Sequence, residues 1–241
     1  MDWIGILILS AAAGAAEVAD VVDVVRPSVV IDQQAQDEVL AQILAEGPPR
    51  DQAVWLDADA KRGLVVCRRA QQGEIKGSVV VLAEPESGPA GITHAAQIRR
   101  GLALHGWHTY FARLPHVGQE QTLQALVRLV RGRGAEGALV VITEGATTHW
   151  VASALGSIAV DGLVLINVPQ SSAEFPAAVT LLGALTLPSL VLQEYPYDWH
   201  KEDPLGDDVE LHLLPPGDAR REDNRLIRKI RGWFKRRFTS A

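Results

Sequence analysis

The feature that most constrains this chain is a rhythm. From residue 78 onward, short continuous apolar runs alternate with amphipathic stretches of about ten to fifteen residues. The runs are residues 78–83 (SVVVLA), 138–142 (ALVVI), 162–166 (GLVLI) and 189–193 (SLVLQ). A strand that is apolar at every position has both faces covered, so these runs predict a largely parallel sheet between two helical layers. Helices are expected over 92–105, stopped by Gly106, over 119–131, where Leu123, Leu126, Val127 and Val130 share a face, and over 146–155. A further helix is expected over 173–185, with Pro176 in its first turn, and a closing helix over 221–238. Residues 107–114 and 209–214 complete the strands, and Trp107 is expected in the core. Strand–helix–strand units cross over right-handedly and bind ligands beyond the carboxyl ends of their strands.

Ahead of this alternation, residues 32–46 read as a helix with Val39, Leu40, Ile43 and Leu44 at helical spacing, ended by Gly47-Pro48-Pro49. Residues 53–56 and 63–67 predict an antiparallel hairpin turning at Asp57-Ala58-Asp59. The expected architecture is an α/β three-layer sandwich with a mostly parallel central sheet and an antiparallel amino-terminal hairpin. The short segment between Ile166 and Ser189 leaves no room for a separate cap domain. The composition, with 47% hydrophobic and 22% charged residues, excludes a disordered, collagen-like or coiled-coil chain. The single Cys67 excludes an intramolecular disulfide framework and a cysteine-based zinc site.

Trp3 to Ala16 is apolar or small apart from Ser10. It is too short to span a hydrocarbon core of about 30 Å. It suits the apolar core of an export signal, with Gly14 and Ala16 as small residues at a cleavage site. Asp2 stands where such a signal has a basic residue, so an upstream start or a buried amino-terminal element is the other reading. The expected division is therefore 1–16 as signal or apolar segment, 17–35 as linker and 36–241 as one domain. The expected location is the periplasm or envelope, or the cytoplasm if the segment is no signal.

The order of hairpin, alternating strands and helices, and final helix resembles the α/β-hydrolase fold. Residues 76–115, with HGW before one strand and LP after it, resemble an uncharacterised bacterial family of exported proteins of this fold, a domain-of-unknown-function family. Residues 161–167 (DGLVLIN) and 231–234 (RGWF) fit the same pattern, and the resemblance covers roughly residues 36–238. It implies the fold and export, and no established reaction.

The hydrolase fold demands a nucleophile on a tight strand-to-helix turn flanked by small residues. In the register that puts Thr143 and Thr147 at the small positions, Gly145 takes the nucleophile position and has nothing to attack with. Ser153 lies mid-helix between Val151 and Leu155, and Thr147 and Thr148 are expected to cap the helix. After the last strand, Arg220 stands at the histidine position, and arginine stays protonated. His212 lies within that strand as a surface residue beside Glu210. Glu194 or Asp198 occupies the place of the orienting acid, with no histidine to orient. In the oxyanion region, Pro85 removes a backbone donor while Glu84 and Glu86 add negative charge. The triad reads as degenerate, with no catalytic residue.

Glu84, Glu86 and Glu144 follow strands at one sheet edge and are expected to approach each other, with His94, His149, Asp198 and His200 near them. Such donors suit a divalent metal, yet no HxxxH, HxH or DxD pair fixes their spacing. Solvated carboxylates near a helix amino terminus are the stronger reading, and neither metal nor cofactor is expected. Tyr195-Pro196-Tyr197-Asp198-Trp199-His200 forms an aromatic loop at that edge, able to stack on a ligand or plug an unused cleft. The ligand-binding candidates are Glu84, Glu86, Glu144, Thr147, Tyr197, Trp199 and His200.

Charge is unevenly spread. Residues 1–219 carry net −13 and residues 220–241 net +7, within a total of −6. In the closing helix Leu226, Ile227, Ile230, Trp233 and Phe234 share a face, while Arg225, Arg228, Lys229, Arg231, Lys235, Arg236 and Arg237 lie elsewhere. This predicts the last helix of the fold with its apolar face on the sheet, its basic end suited to its own dipole; peripheral contact with an anionic membrane is the alternative. Nucleic-acid binding is not expected from a body of net −13 without a recognised module. The function expected is non-catalytic binding of a small ligand or protein in the bacterial envelope. The alternatives are an ester or amide hydrolase with an unorthodox nucleophile and a membrane-associated structural protein.

Overall fold

The computed structural model describes residues 33–46, 50–58, 61–83, 89–113, 118–134, 136–145, 147–168, 186–194, 207–217 and 225–238. The chain runs α1 (Gln33–Glu46), β1 (Asp51–Ala58), β2 (Lys61–Arg68), β3 (Gly77–Ala83), α2 (Pro89–Ala103), β4 (Trp107–Arg113) and α3 (Gln119–Gly132). It continues with β5 (Ala138–Glu144), α4 (Thr147–Ala154), β6 (Gly162–Ile166), β7 (Ser189–Glu194), β8 (Val209–Leu214) and α5 (Arg225–Arg237). The helix expected over 173–185 and the aromatic loop lie outside the described residues.

One eight-stranded sheet has the order β1-β2-β4-β3-β5-β6-β7-β8. β2 runs antiparallel to both β1 and β4, and every other neighbouring pair is parallel. The expected hairpin and parallel core are thus both present. Side chains alternate between the two faces, as the pleat requires. Val80, Leu82, Val141 and Leu165 pack with Leu123 and Leu126 of α3 and Val151 of α4. Val79, Val81, Ile142 and Val164 pack with Ile98 and Leu102 of α2 and Ile227, Ile230 and Trp233 of α5. All seven residues of β3 are buried, which is why its sequence shows no polar alternation.

Two carboxylates, each paired with arginine, fasten the antiparallel end. Asp51 of β1 takes bidentate hydrogen bonds from Arg68 of β2 (2.5 and 3.0 Å) and from Arg99 of α2 (2.6 and 2.9 Å). Burial alone would push the Asp51 carboxyl up, but the two guanidiniums outweigh it and hold the group at about 2. The buried Asp37 of α1 pairs with the buried Arg113 of β4 and also accepts from the Leu64 backbone N–H at 3.4 Å.

This second pair corrects the sequence reading of α1. Val39 and Ile43, expected on its apolar face, are 58% and 59% exposed. Leu40 and Leu44 do pack on the core, but the inward stripe is set by Asp37. Pairing with Arg113 turns a carboxylate inward and leaves two aliphatic side chains in water.

The last helix packs over the starts of β4 and β6. Trp233, Phe234 and Phe238 cluster with Trp107 at the start of β4, with ring centroids 4.4 Å apart for Trp107–Phe234 and 5.3 Å for Trp233–Phe238. They crowd the start of β6, where a Cβ on Gly162 would sit 2.6 Å from the Phe238 ring. Among the described residues no helix is long and apolar enough to cross a membrane.

Candidate functional site

The carboxyl ends of β5, β6 and β7 form the candidate site. β5 runs through Thr143 and Glu144 into Gly145, and α4 starts at Thr147. Gly145 has φ 67°, a left-handed conformation that costs glycine little and other residues about 1–2 kcal/mol. Its N–H donates to the Ile166 carbonyl at the end of β6 (3.0 Å). The strand, turn and helix needed for a nucleophile are all present, and the residue at the turn has no side chain.

Neighbouring threonines close this turn. Thr147 Oγ1 donates to the Glu144 carbonyl (2.7 Å), and Thr148 Oγ1 donates to the Gly145 carbonyl (2.7 Å). With its proton spent there, Thr147 accepts from the Thr143 hydroxyl. Both α4 threonines are buried. α4 begins at Thr147, so both threonines sit in its first turn, and their hydroxyls staple that turn to the carbonyls of Glu144 and Gly145. Thr147, a ligand-binding candidate, has its hydroxyl committed within the protein.

Glu144 Oε2 lies 2.8 Å from Nδ1 of His94, on α2. A carboxylate only accepts, so Nδ1 carries a proton. His94 is 6% exposed, and Nε2 is buried without a hydrogen-bond partner among the described residues. A carboxylate that orients an imidazole in this way presents Nε2 as a proton acceptor. His94 was named in the sequence only as a residue near the edge; its signal was its place at the start of the helix that follows β3.

The third part is Asn167, which sequence reasoning passed over. It follows β6 at φ 50°, and its Oδ1 accepts the Glu194 backbone N–H at the end of β7 (3.1 Å). Asparagine tolerates this backbone region better than most residues, and one directly after a buried strand was the available signal. The bond ties together the ends of two strands beside Gly145. Glu84, Glu86, Tyr197, Asp198, Trp199, His200 and Arg220 lie outside the described residues, as do the side chains of His149 and Ser153. Among the described residues, no group of three histidine, cysteine or acidic side chains is placed to hold a metal ion. His212 sits as expected, 3.5 Å from Glu210 on β8.

Sheet order, flanking helices and a strand–turn–helix at Gly145 define the α/β-hydrolase fold. Solved structures agree. An α/β serine hydrolase without lid from Xanthomonas campestris is 15% identical, with a TM-score of 0.59 over 81% of this chain and 98% of that chain. An esterase domain from Rhodothermus marinus is 13% identical, with a TM-score of 0.60 over 78% of this chain and 99% of that one. A cold-adapted esterase from an Arctic intertidal metagenomic library is 12% identical, with a TM-score of 0.61 over 78% and 94%. At such identities the likeness is one of fold. Residues 6–120 match a family described as "Protein of unknown function (DUF3530)". The chain is thus an α/β-hydrolase-fold protein whose amino-terminal half matches this uncharacterised family, as the resemblance implied. No curated protein matches its sequence.

Proposed function

We propose that this protein is a hydrolase-fold protein that has given up acyl-enzyme chemistry and binds a small ligand or a protein at the carboxyl edge of its sheet, in the bacterial envelope. The observation that carries this reading is Gly145 at the turn between β5 and α4, where the fold's covalent chemistry needs a side chain. Glu144 beside it supports the same reading, because a carboxylate opposes rather than stabilises a developing oxyanion. The ligand is met by Glu144 with Glu84, Glu86, Tyr197, Trp199 and His200, while Thr147 shapes the turn. The test is a panel of p-nitrophenyl esters together with a fluorophosphonate probe. Neither turnover above the buffer rate nor labelling is expected, and stoichiometric labelling would overturn the proposal. For the location, cell fractionation is expected to recover the protein with the periplasm or envelope; recovery in the cytosol alone would reject it.

A second reading is favoured by one observation, the pairing of His94 with Glu144. An imidazole so oriented is suited to take a proton from water, so hydrolysis without a covalent intermediate is the competing activity. Ester turnover without probe labelling, lost in His94→Gln, would establish it in place of the binding role.

A further inference from the structure

At the other edge of the sheet, a groove of about 720 Å³ opens between α5 and the segments leading into β3 and β4. β3 is seven residues long, so this edge lies about 20 Å from Ala83 and the candidate site. The floor is aromatic, made by Trp107, Phe234 and Phe238. The walls carry Lys76, Arg228, Arg231 and Lys235, with His105 and the single acid Glu74. Among the described residues Lys76, Arg228 and Arg231 make no ion pair. Arg236 and Arg237, also on α5, are by contrast matched by Glu210 (2.8 and 3.5 Å). The basic helix is therefore divided: Arg236 and Arg237 are answered by β8, whereas Arg228 and Arg231 make no ion pair among the described residues.

Large apolar side chains stand beside these open charges. Ile75 lines the groove and is 53% exposed, and Leu104, next to His105, is 42% exposed. The two segments are tied together by backbone bonds from Gln71 N–H to the Ala103 carbonyl (2.8 Å) and from Lys76 N–H to the Gly106 carbonyl (2.9 Å). Cations around protruding aliphatic side chains are the chemistry of an anionic bilayer surface: the charges meet headgroups and the aliphatic groups enter the interface. Residues 1–219 carry net −13, so the rest of the protein is repelled by such a surface and this face is the one that can approach it.

We propose that the groove edge formed by Lys76, Arg228 and Arg231, with Ile75 and Leu104, seats the protein on an anionic lipid surface. A free phosphate ion would use the cations and leave the two aliphatic side chains without a role. The test is co-sedimentation of the full chain with vesicles of phosphatidylcholine, alone or mixed with phosphatidylglycerol, at low and physiological salt. Binding is expected only to the mixed vesicles and is expected to weaken with salt. Arg228→Glu with Arg231→Glu is expected to lower the partition constant at least about 25-fold, at about fivefold per basic side chain. Ile75→Ser with Leu104→Ser is expected to weaken vesicle binding while leaving any stabilisation by inorganic phosphate unchanged. Circular dichroism and melting curves verify that each variant is folded; should the charge-reversal pair not fold, Lys76→Gln with Arg228→Gln takes its place. Vesicle binding that survives the charge changes would assign the contact to another part of the chain and overturn the proposal. Equal binding to neutral vesicles, stabilisation by phosphate without vesicle binding, or retention of a DNA duplex without vesicle binding would each overturn it as well.

Discussion

His94 and Glu144 are fifty positions apart in sequence and 2.8 Å apart in space, one in the second turn of α2 and the other at the end of β5. The pair spans the elements on either side of β3's exit and fixes the imidazole beside the Gly145 turn. Replacing His94 by Ala removes the donor facing a half-buried carboxylate. The expected loss is about 1–3 kcal/mol of unfolding free energy, read by urea titration, with His94→Gln losing less. Equal stability of His94→Ala and wild type would show that the contact does not hold the site.

Gly145 is expected to resist substitution for a backbone reason. Gly145→Ala places a Cβ at φ 67° and is expected to cost about 1–2 kcal/mol, or roughly 2–8 °C in Tm for a chain of this size. Gly145→Ser carries the same cost and is expected to remain unlabelled by a fluorophosphonate. Labelling of that variant would mean that a working base and oxyanion hole survive around the turn.

Asp51 sets an acid limit on stability. Its folded pKa of about 2 lies below the ordinary 3.8, so its stabilisation is complete above about pH 4 and is lost as pH falls through 2. The difference corresponds to about 2 kcal/mol. Asp51→Asn is expected to be less stable than wild type at neutral pH, and the gap is expected to narrow between pH 4 and 2 in urea titrations. A gap independent of pH would show that the carboxylate's charge is not what Arg68 and Arg99 recognise.

Asp37 is expected to be the most sensitive position of α1. Asp37→Ala leaves buried Arg113 without its carboxylate and is expected to cost about 3–5 kcal/mol, whereas Ile43→Ser on the exposed face is expected to change stability by under about 0.5 kcal/mol. Comparable losses from the two would contradict the inward stripe described for this helix.

The Cys67 thiol is pushed up to about 11 by burial in the core of β2. It is expected to ignore iodoacetamide at about pH 8 in the folded protein and to react fully in denaturant. Labelling under native conditions, followed by mass spectrometry, would show that β2 opens locally.

The sheet was legible because burial on both faces is local information: residues 79–83 and 138–142 are apolar at every position whatever their neighbours are. The closing helix was legible for the same reason, its apolar face being written at helical spacing. Pairings across long separations left weaker marks. Nothing near Asp37 shows that Arg113, 76 positions on, turns it inward, so the more apolar Val39 and Ile43 drew the apolar face to themselves. The place of Glu144 after a strand is local information, but its contact with the imidazole of His94, fifty positions away on a helix, is set by packing. Likewise, which cations of α5 are matched depends on Glu210 in a strand whose register the sequence does not reveal.

The aromatic closure at Trp107 also bears on the order of folding. Trp233, Phe234 and Phe238 lie far along the sequence from Trp107, yet they cover one face of its sheet. A chain in which α5 has not docked therefore carries an unfinished sheet, with one apolar side open to chaperones and to other unfolded chains. Removing α5 is expected to leave a client for quality control rather than a smaller working domain.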